Sequence, residues 1–392
     1  MGRLRRSTTE RAVTIKDLAA HCGIGVGTVS RALSGAPSVK PTTRERVLAA
    51  ARELGYDPAQ NDAARRLRFH GHGYELMSRT IALLLSHDAG EIAYFSRILH
   101  GVIDEFTRQD YTLVLMMTES ASQSFQLPPL LSRGDLDGLV LMPGILMLPC
   151  MKELMRHPML HGRPVVSLLE HFTDLDPCSS YLTARIDVGR GAYQASRHLL
   201  ELGHRHVLHF AVPSFDQYLP YRERRQGVEA ALREFALDPA THLHSFPLPQ
   251  YLTSAAWADP RMLHTGALTQ LLERYAGGRT HPLPCYLREH PEITALLALN
   301  DASAIAAWYT LEGAGFRVPE EISIVGFDDT DPMIGPQGDN LLTTVHLPLP
   351  EIAQAAVRLL IRHIEEEQPE ETSVLLQPEL VVRASTGRVQ GG

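Results

Sequence analysis

The chain has 392 residues, is 44% apolar and carries a formal net charge of −8, a composition that supports more than one buried core and excludes general disorder. Its longest nearly uncharged run, 138–151, is interrupted by Pro143 and Pro149 and falls short of the roughly 18 apolar residues that a membrane-spanning helix needs. The four cysteines, Cys22, Cys150, Cys178 and Cys285, form no C-x-x-C pair, which argues against a disulfide framework and against a structural zinc site.

Charge is unevenly placed. Residues 1–70 hold 13 Lys/Arg against 6 Asp/Glu, which leaves 24 against 39 in the rest of the chain. A compact basic head suits a polyanion, and an acidic body leaves that contact to the head. The basic start lacks an apolar stretch followed by a small-residue cleavage site, so the cytoplasm is the expected location.

In chain order, Thr14 is placed to cap a first helix whose Ile15, Leu18, Ala19 and Cys22 make one apolar stripe, ended by Gly23. After a glycine elbow, "VGTVSRALSG" offers Val29, Ala32 and Leu33 as an inward face and closes at Gly35. A third helix starts at Pro41, with Val47, Leu48, Ala51 and Leu54 as its apolar face and Gly55 as its stop. Two short helices joined by a tight turn and backed by a third form a helix-turn-helix, whose second helix enters a DNA major groove by its N-terminus. Val26 suits a thymine methyl, Gly27 permits close approach, and Arg31 suits a bidentate contact to guanine. Thr28, Ser30 and Thr43 are short hydroxyls suited to phosphate oxygens; Thr28 and Ser30 serve equally well as capping or solvated helix residues.

Next, Arg65, Arg66 and Arg68 surround Leu67, as in a segment that folds only on DNA and wedges open a base step; a solvated basic linker is the alternative. "HGHG", 70–73, reads as flexible linker. From Thr80 onward, apolar runs such as "TIALLLS", "YTLVLMM", "LDGLVLM", "PVVSLLE", "HVLHFAV", "ITALLAL" and "ISIVGFD" alternate with helical patterns. This is the signature of parallel sheets covered on both faces, in which ligands bind beyond the carboxyl ends of the strands. The polar residues there are Ser86, Asp88, Glu170, Asn300, Asp301, Asp328 and Asp329, with Tyr94 and Phe95 as aromatic neighbours. Such a set suits a sugar-sized polyol, although Asp and Asn also follow strands as helix caps. No P-loop, H-E-x-x-H or G-x-S-x-G organises the 19 histidines and many carboxylates into a catalytic site, and "HRH" and "HLH" lack partners at metal spacing, with His204 and His206 read as residues leading into a strand. The expectation is no enzyme, no cofactor and no metal.

"TIKDLAAHCGIGVGTVSRALSG" followed by "TRERVLAAARELGY" resembles the DNA-binding head of the lactose-repressor (LacI/GalR) family of bacterial transcription regulators. Gly25 and Lys40 stand where that family usually has the capping serines of its second and third helices, and "YDPAQN" is two residues longer than the usual spacing before the hinge. "DVGRGAYQASRHLLELGHRHVLHF", "RRQGVEAAL", "ITALLALNDASAIAAWYTLEGAGFRVPEEISIVGFDD" and "LTTVHLP" extend the resemblance over nearly the whole chain, to a core similar to periplasmic sugar-binding proteins. The resemblance implies a head at 1–59, a hinge helix and linker at 60–78, and a two-lobed core at 79–388. Lobe 1 is expected at about 79–185 and 345–372, lobe 2 at about 186–344 and 373–388.

The expected DNA-binding set is Thr14, Val26, Gly27, Thr28, Ser30, Arg31, Thr43, Asn61, Arg65 and Leu67, with Leu67 as the minor-groove wedge. Arg224 and Asp328 are implied to grip effector hydroxyls beside Asn300 and Asp187, with Ser86, Asp88, Tyr94 and Phe95 closing from the other lobe. The function implied is a homodimeric regulator, mostly of the repressor kind, that reads a pseudo-palindromic double-stranded operator under the control of a small carbohydrate-like effector. A sugar-binding protein with no DNA-regulatory role is the alternative, and it leaves the basic head unexplained.

Overall fold

The computed structural model describes Val13, 15–33, 39–54, Tyr56, 79–86, 92–118, 136–142, 163–169, 181–211, 219–247, 282–366 and 369–389. Contacts divide the chain into two units, Met1–Arg79 and Thr80–Gly392.

In the first unit, α1 (Ile15–Cys22), α2 (Val26–Leu33) and α3 (Pro41–Glu53) enclose a small core of Leu18, Ala19, Val29, Ala32, Val47, Ala50 and Tyr56. Gly23 reverses the chain with φ +63°, a conformation that costs glycine little. The Gly25 carbonyl then accepts the amides of Thr28 (2.8 Å) and Val29 (3.1 Å). A side-chain cap is thus replaced by a backbone start, and Lys40 begins α3 without a side-chain cap, helped by Pro41 in the first turn. One expectation is corrected: Leu48 is 37% exposed, because Val47, Ala50, Ala51 and Leu54 already complete the inward stripe. The expected stops at Gly35 and Gly55, the cap at Thr14 and the hinge residues Asn61, Arg65 and Leu67 lie outside the described residues.

The second unit contains β1 (Thr80–Ser86), α4 (Ile92–Phe106), β2 (Thr112–Thr118), β3 (Gly138–Met142), β4 (Val165–Leu168) and β5 (Leu182–Ile186). It continues with α5 (Val188–Glu201), β6 (His206–Ala211), α6 (Leu219–Glu234), α7 (Pro239–His242), β7 (Leu243–Pro247), α8 (Pro282–Glu289) and β8 (Ile293–Leu297). Last come α9 (Asp301–Gly313), β9 (Ser323–Asp328), β10 (Thr343–His346), α10 (Leu349–Glu365), β11 (Ser373–Leu376) and β12 (Glu379–Val381). Two six-stranded sheets result, in the orders β11-β5-β4-β3-β1-β2 and β12-β10-β9-β8-β6-β7. Among the described strands, every pairing is parallel except that of β12 with β10.

Strands β3, β4 and β9 are buried at every residue, as uninterrupted apolar runs in a doubly covered sheet require. In the second sheet, Val207, Ala295, Leu297, Val325 and Val345 face α5 and α6, while Leu208, Phe210, Leu296 and Ile324 face a separate cluster with Leu287, Ala304, Trp308 and Leu311 of α8 and α9. Burial of each such leucine or isoleucine contributes about 1.5–3 kcal/mol.

Sheet membership shifts the expected lobe edges. Ile186 still belongs to the first sheet, β10 carries the second sheet through His346, and β11, expected in lobe 2, pairs with β5 in the first. Among the described strands the chain therefore crosses between sheets three times, after Ile186, after His346 and after Leu376. His204, read from sequence as leading into a strand, is 2% exposed and bonded to the Thr294 and Ser323 hydroxyls (2.8 and 3.0 Å) and the Gly387 carbonyl (3.1 Å). It ties the C-terminal segment to the second sheet, and burial pulls its pKa down to about 4.

Candidate functional site

The carboxyl ends of β8 and β9 place Asn300, Asp301, Asp328 and Asp329 at one end of the second sheet. Asp328 has φ +99° and Asp329 +56°, a conformation costly for residues with a side chain. The turn lets both Phe327 and Asp328 meet Arg224 of α6. Its guanidinium lies 3.7 Å from the centre of the Phe327 ring, donates to the Leu299 carbonyl at 2.7 Å, and stands 3.6 Å from an Asp328 carboxylate oxygen.

That last separation makes an ion pair without a hydrogen bond. Arg224 Nε and Asp328 Oδ1 are both buried and have no hydrogen-bond partner among the described residues. Only 15% and 6% of the two side chains is exposed. Burial raises the Asp328 pKa to about 6, opposed by Arg224 and assisted by Asp331. The site is thus a preorganised donor and acceptor, with hydrogen-bonding capacity left unused among the described residues.

Neighbouring residues have settled duties. Asn300 caps α9, its side-chain oxygen accepting the Ser303 amide at 2.9 Å in a reciprocal box, and it directly follows the residue that anchors Arg224. Asp301 is buried and accepts from the Thr344 hydroxyl (2.5 Å) and the Thr330 amide (2.8 Å). It holds β10 and the segment after β9 to the start of α9, and burial raises its pKa well above the usual carboxylate range. Asp329 pairs with Arg383 (2.8 Å) and His346 (3.1 Å). Asp187 caps α5 by accepting the Arg190 amide at 2.9 Å.

In the first sheet Ser86 ends β1 at the carboxyl edge, and Asp88 lies outside the described residues. Tyr94 and Phe95, in the first turn of α4, are half-buried against the core. Two links between the lobes went unnoticed in the sequence. Arg185 of β5 pairs with Glu223 of α6 at 2.5 Å, and Arg97 of α4 is close enough to Asp331 to oppose the rise that burial imposes on that carboxyl. Phe327 and the Leu299 carbonyl were also missed, because a stacking ring and a backbone acceptor 75 residues from Arg224 leave no motif.

In the head, Val26 (40% exposed) and Gly27 open α2. Arg31 is exposed on the same helix, with Nε on the Gly27 carbonyl at 3.1 Å, while Thr28, Ser30 and Thr43 are half-buried.

Family models agree with this division. "Bacterial regulatory proteins, lacI family" matches residues 14–59, "Periplasmic binding proteins and sugar binding domain of LacI family" matches 78–249, and "Periplasmic binding protein-like domain" matches 196–386. The HTH-type transcriptional regulator CelR of Thermobifida fusca is 29% identical over 96% of this chain and 98% of its own. The HTH-type transcriptional repressor PurR of Aliivibrio fischeri is 28% identical over 95% and 98%. Among solved structures, a transcriptional regulator CelR–cellobiose complex superposes with a TM-score of 0.56 at 25% identity, covering 95% of this chain and 99% of that one. With a three-helix head, a core of two mostly parallel sheets that the described strands cross three times, and relatives matched from end to end, the chain belongs to the LacI family of bacterial regulatory proteins.

Proposed function

We propose that this regulator binds a pseudo-palindromic DNA operator as a homodimer, represses transcription there in the cytoplasm, and is switched by a small sugar or sugar derivative held at Arg224 and Asp328. The observation that carries the effector reading is the buried donor atom Arg224 Nε and acceptor atom Asp328 Oδ1, neither with a hydrogen-bond partner among the described residues. A relative matched over 95% of this chain was solved as a complex with cellobiose, which supports the carbohydrate class. The proposed effector site adds Asn300 and Asp187 beside the pair and Ser86, Asp88, Tyr94 and Phe95 from the first lobe. Arg224 and Glu223 are adjacent on α6, and Glu223 is bonded to Arg185 of the first lobe. A ligand that draws on Arg224 therefore favours one lobe arrangement over another and shifts the population of DNA-competent dimers. A thermal-shift screen of full-length protein against a sugar library, followed by operator titration with and without the stabilising sugar, tests this reading. A library without a single stabilising sugar counts against it.

For DNA reading, the proposed set is Thr14, Val26, Gly27, Thr28, Ser30, Arg31, Thr43, Asn61, Arg65 and Leu67. Arg31→Ala is expected to cost about 1–3 kcal/mol on the operator and to relax preference at one base pair per half-site, the loss of a bidentate guanine contact. Titrations at one fixed salt concentration, on operator and on scrambled duplex, check it. An equal loss on both places Arg31 on phosphate instead.

A further inference from the structure

The amino ends of β6, β7 and β8 lie at the opposite edge of the second sheet from Asp328, since all four strands run parallel. Here the fold gathers side chains from four places: His242 at the end of α7, His206 opening β6, His244 in β7, and His290 with Glu292 in the turn between α8 and β8. One ligand atom from each of His244, His290 and Glu292 lies within 4.8 Å of the other two. His290 Nδ1 is 3.2 Å from a Glu292 carboxylate oxygen, and His244 Nε2 is 3.0 Å from His206 Nδ1. The rings of His206 and His242 stand 4.6 Å apart, and the Tyr286 ring walls one side 4.5 Å from His290.

We propose that His244, His290 and Glu292 bind a divalent transition-metal ion of the zinc class, with His206 orienting His244 through the hydrogen bond between their rings. Imidazoles with one carboxylate suit such ions, whereas calcium and magnesium prefer sites made of oxygen alone. A metal-bound histidine usually has its other nitrogen hydrogen-bonded, as His206 provides here. Glu292 is exposed and the two histidines half-buried, so a coordination position remains open to water. The sequence discouraged this reading because "HRH" and "HLH" have no ligand nearby in the chain; the partners come from strands and a turn that only the folded sheet brings together. A bound ion bridges the β6–β7 edge to the α8–β8 turn, so it stabilises the second lobe by binding the folded state alone.

The test uses untagged full-length protein stripped with chelator, titrated with Zn²⁺ in a calorimeter and melted with and without the ion. Wild type is expected to bind Zn²⁺ at micromolar concentration and to melt higher with it, while Mg²⁺ has no such effect. Glu292→Gln and His290→Ala, both changes at accessible positions, are expected to weaken Zn²⁺ binding by about tenfold or more and to abolish the shift in melting. Absence of micromolar binding by wild type overturns the proposal, as does a smaller loss in both variants, which assigns the ion to histidines elsewhere in the chain. Circular dichroism of each variant separates lost ligation from lost folding. None of these readouts involves the effector or the operator.

Discussion

Asp328→Asn is expected to leave operator binding intact and to weaken the effector by on the order of 100-fold, so that repression no longer responds to ligand. The carboxylate is the buried acceptor beside Arg224, and a site built to hydrogen-bond hydroxyls loses heavily when its acceptor becomes in part a donor. The same change is expected to stabilise the effector-free protein. Burial holds the Asp328 pKa at about 6 against an ordinary 3.8, so the fold disfavours its charged form. The penalty is full above pH 6 and vanishes below about 3.8, so this group contributes relative stability as pH falls between those limits. Removing the charge recovers on the order of 2 kcal/mol at neutral pH and nothing near pH 4. His204 and His209 act oppositely: burial lowers both from 6.5 to about 4, so their contribution is lost as pH falls through that window. The difference between wild type and variant, melted across pH 4–8, isolates Asp328 because the histidines are common to both. Calorimetry with the sugar found by screening measures the binding loss. A variant that melts lower than wild type at neutral pH, or that responds to ligand at wild-type concentration, refutes the assignment.

Gain of stability with loss of response is the pattern expected where a fold keeps an uncomfortable charge for binding, and it bears on what the residues disclose. The strands that sequence announces are those covered on both faces: "TIALLLS" and "ISIVGFD" are apolar runs because no side of the strand meets water. Edge and crossing strands are quieter. β11 alternates exposed and half-buried residues and β12 is three residues long, so neither rises above loop in a linear reading, and lobe edges drawn there slip by a strand. Helix starts read well where the cap is a side chain, as at Asn300 and Asp187, but α2 starts on the carbonyl of Gly25, which any residue supplies. Arg224 and Asp328 stand out together in the sequence only through the family resemblance. What makes them a pair, the ring of Phe327, the Leu299 carbonyl and a positive φ, depends on segments that approach only after the second sheet forms. Asn300 and Asp187 show the reverse case, in which polar residues at strand ends are held as helix caps.

Gly227→Ala is expected to destabilise the core by about 3 kcal/mol or more and to displace the effector site with it. A Cβ at Gly227 of α6 comes within 2.1 Å of the Gly189 carbonyl oxygen and 2.9 Å of the Tyr193 amide nitrogen of α5. Both obstacles are backbone, so no side-chain rotation relieves them, and the helices must part. Overpacking a close contact usually costs 1–3 kcal/mol, and one that separates two helix backbones belongs at the upper end or beyond. The sign is informative because alanine is intrinsically the better helix residue by about 0.5–1 kcal/mol. Gly313→Ala at the last residue of α9, where nothing lies within 4 Å of the added Cβ, is expected to show a gain of the same sign and smaller size, since the full propensity difference applies to helix interiors. Arg224 sits one turn before Gly227, held by the Phe327 ring and the Leu299 carbonyl; withdrawing α6 breaks both contacts and pulls Glu223 away from Arg185. Thermal melts of the two alanine variants, with sugar binding measured on the folded fraction of each, decide the matter: if Gly227→Ala melts as high as Gly313→Ala, α5 and α6 do not cross backbone against backbone, and the placement of Arg224 falls with that crossing.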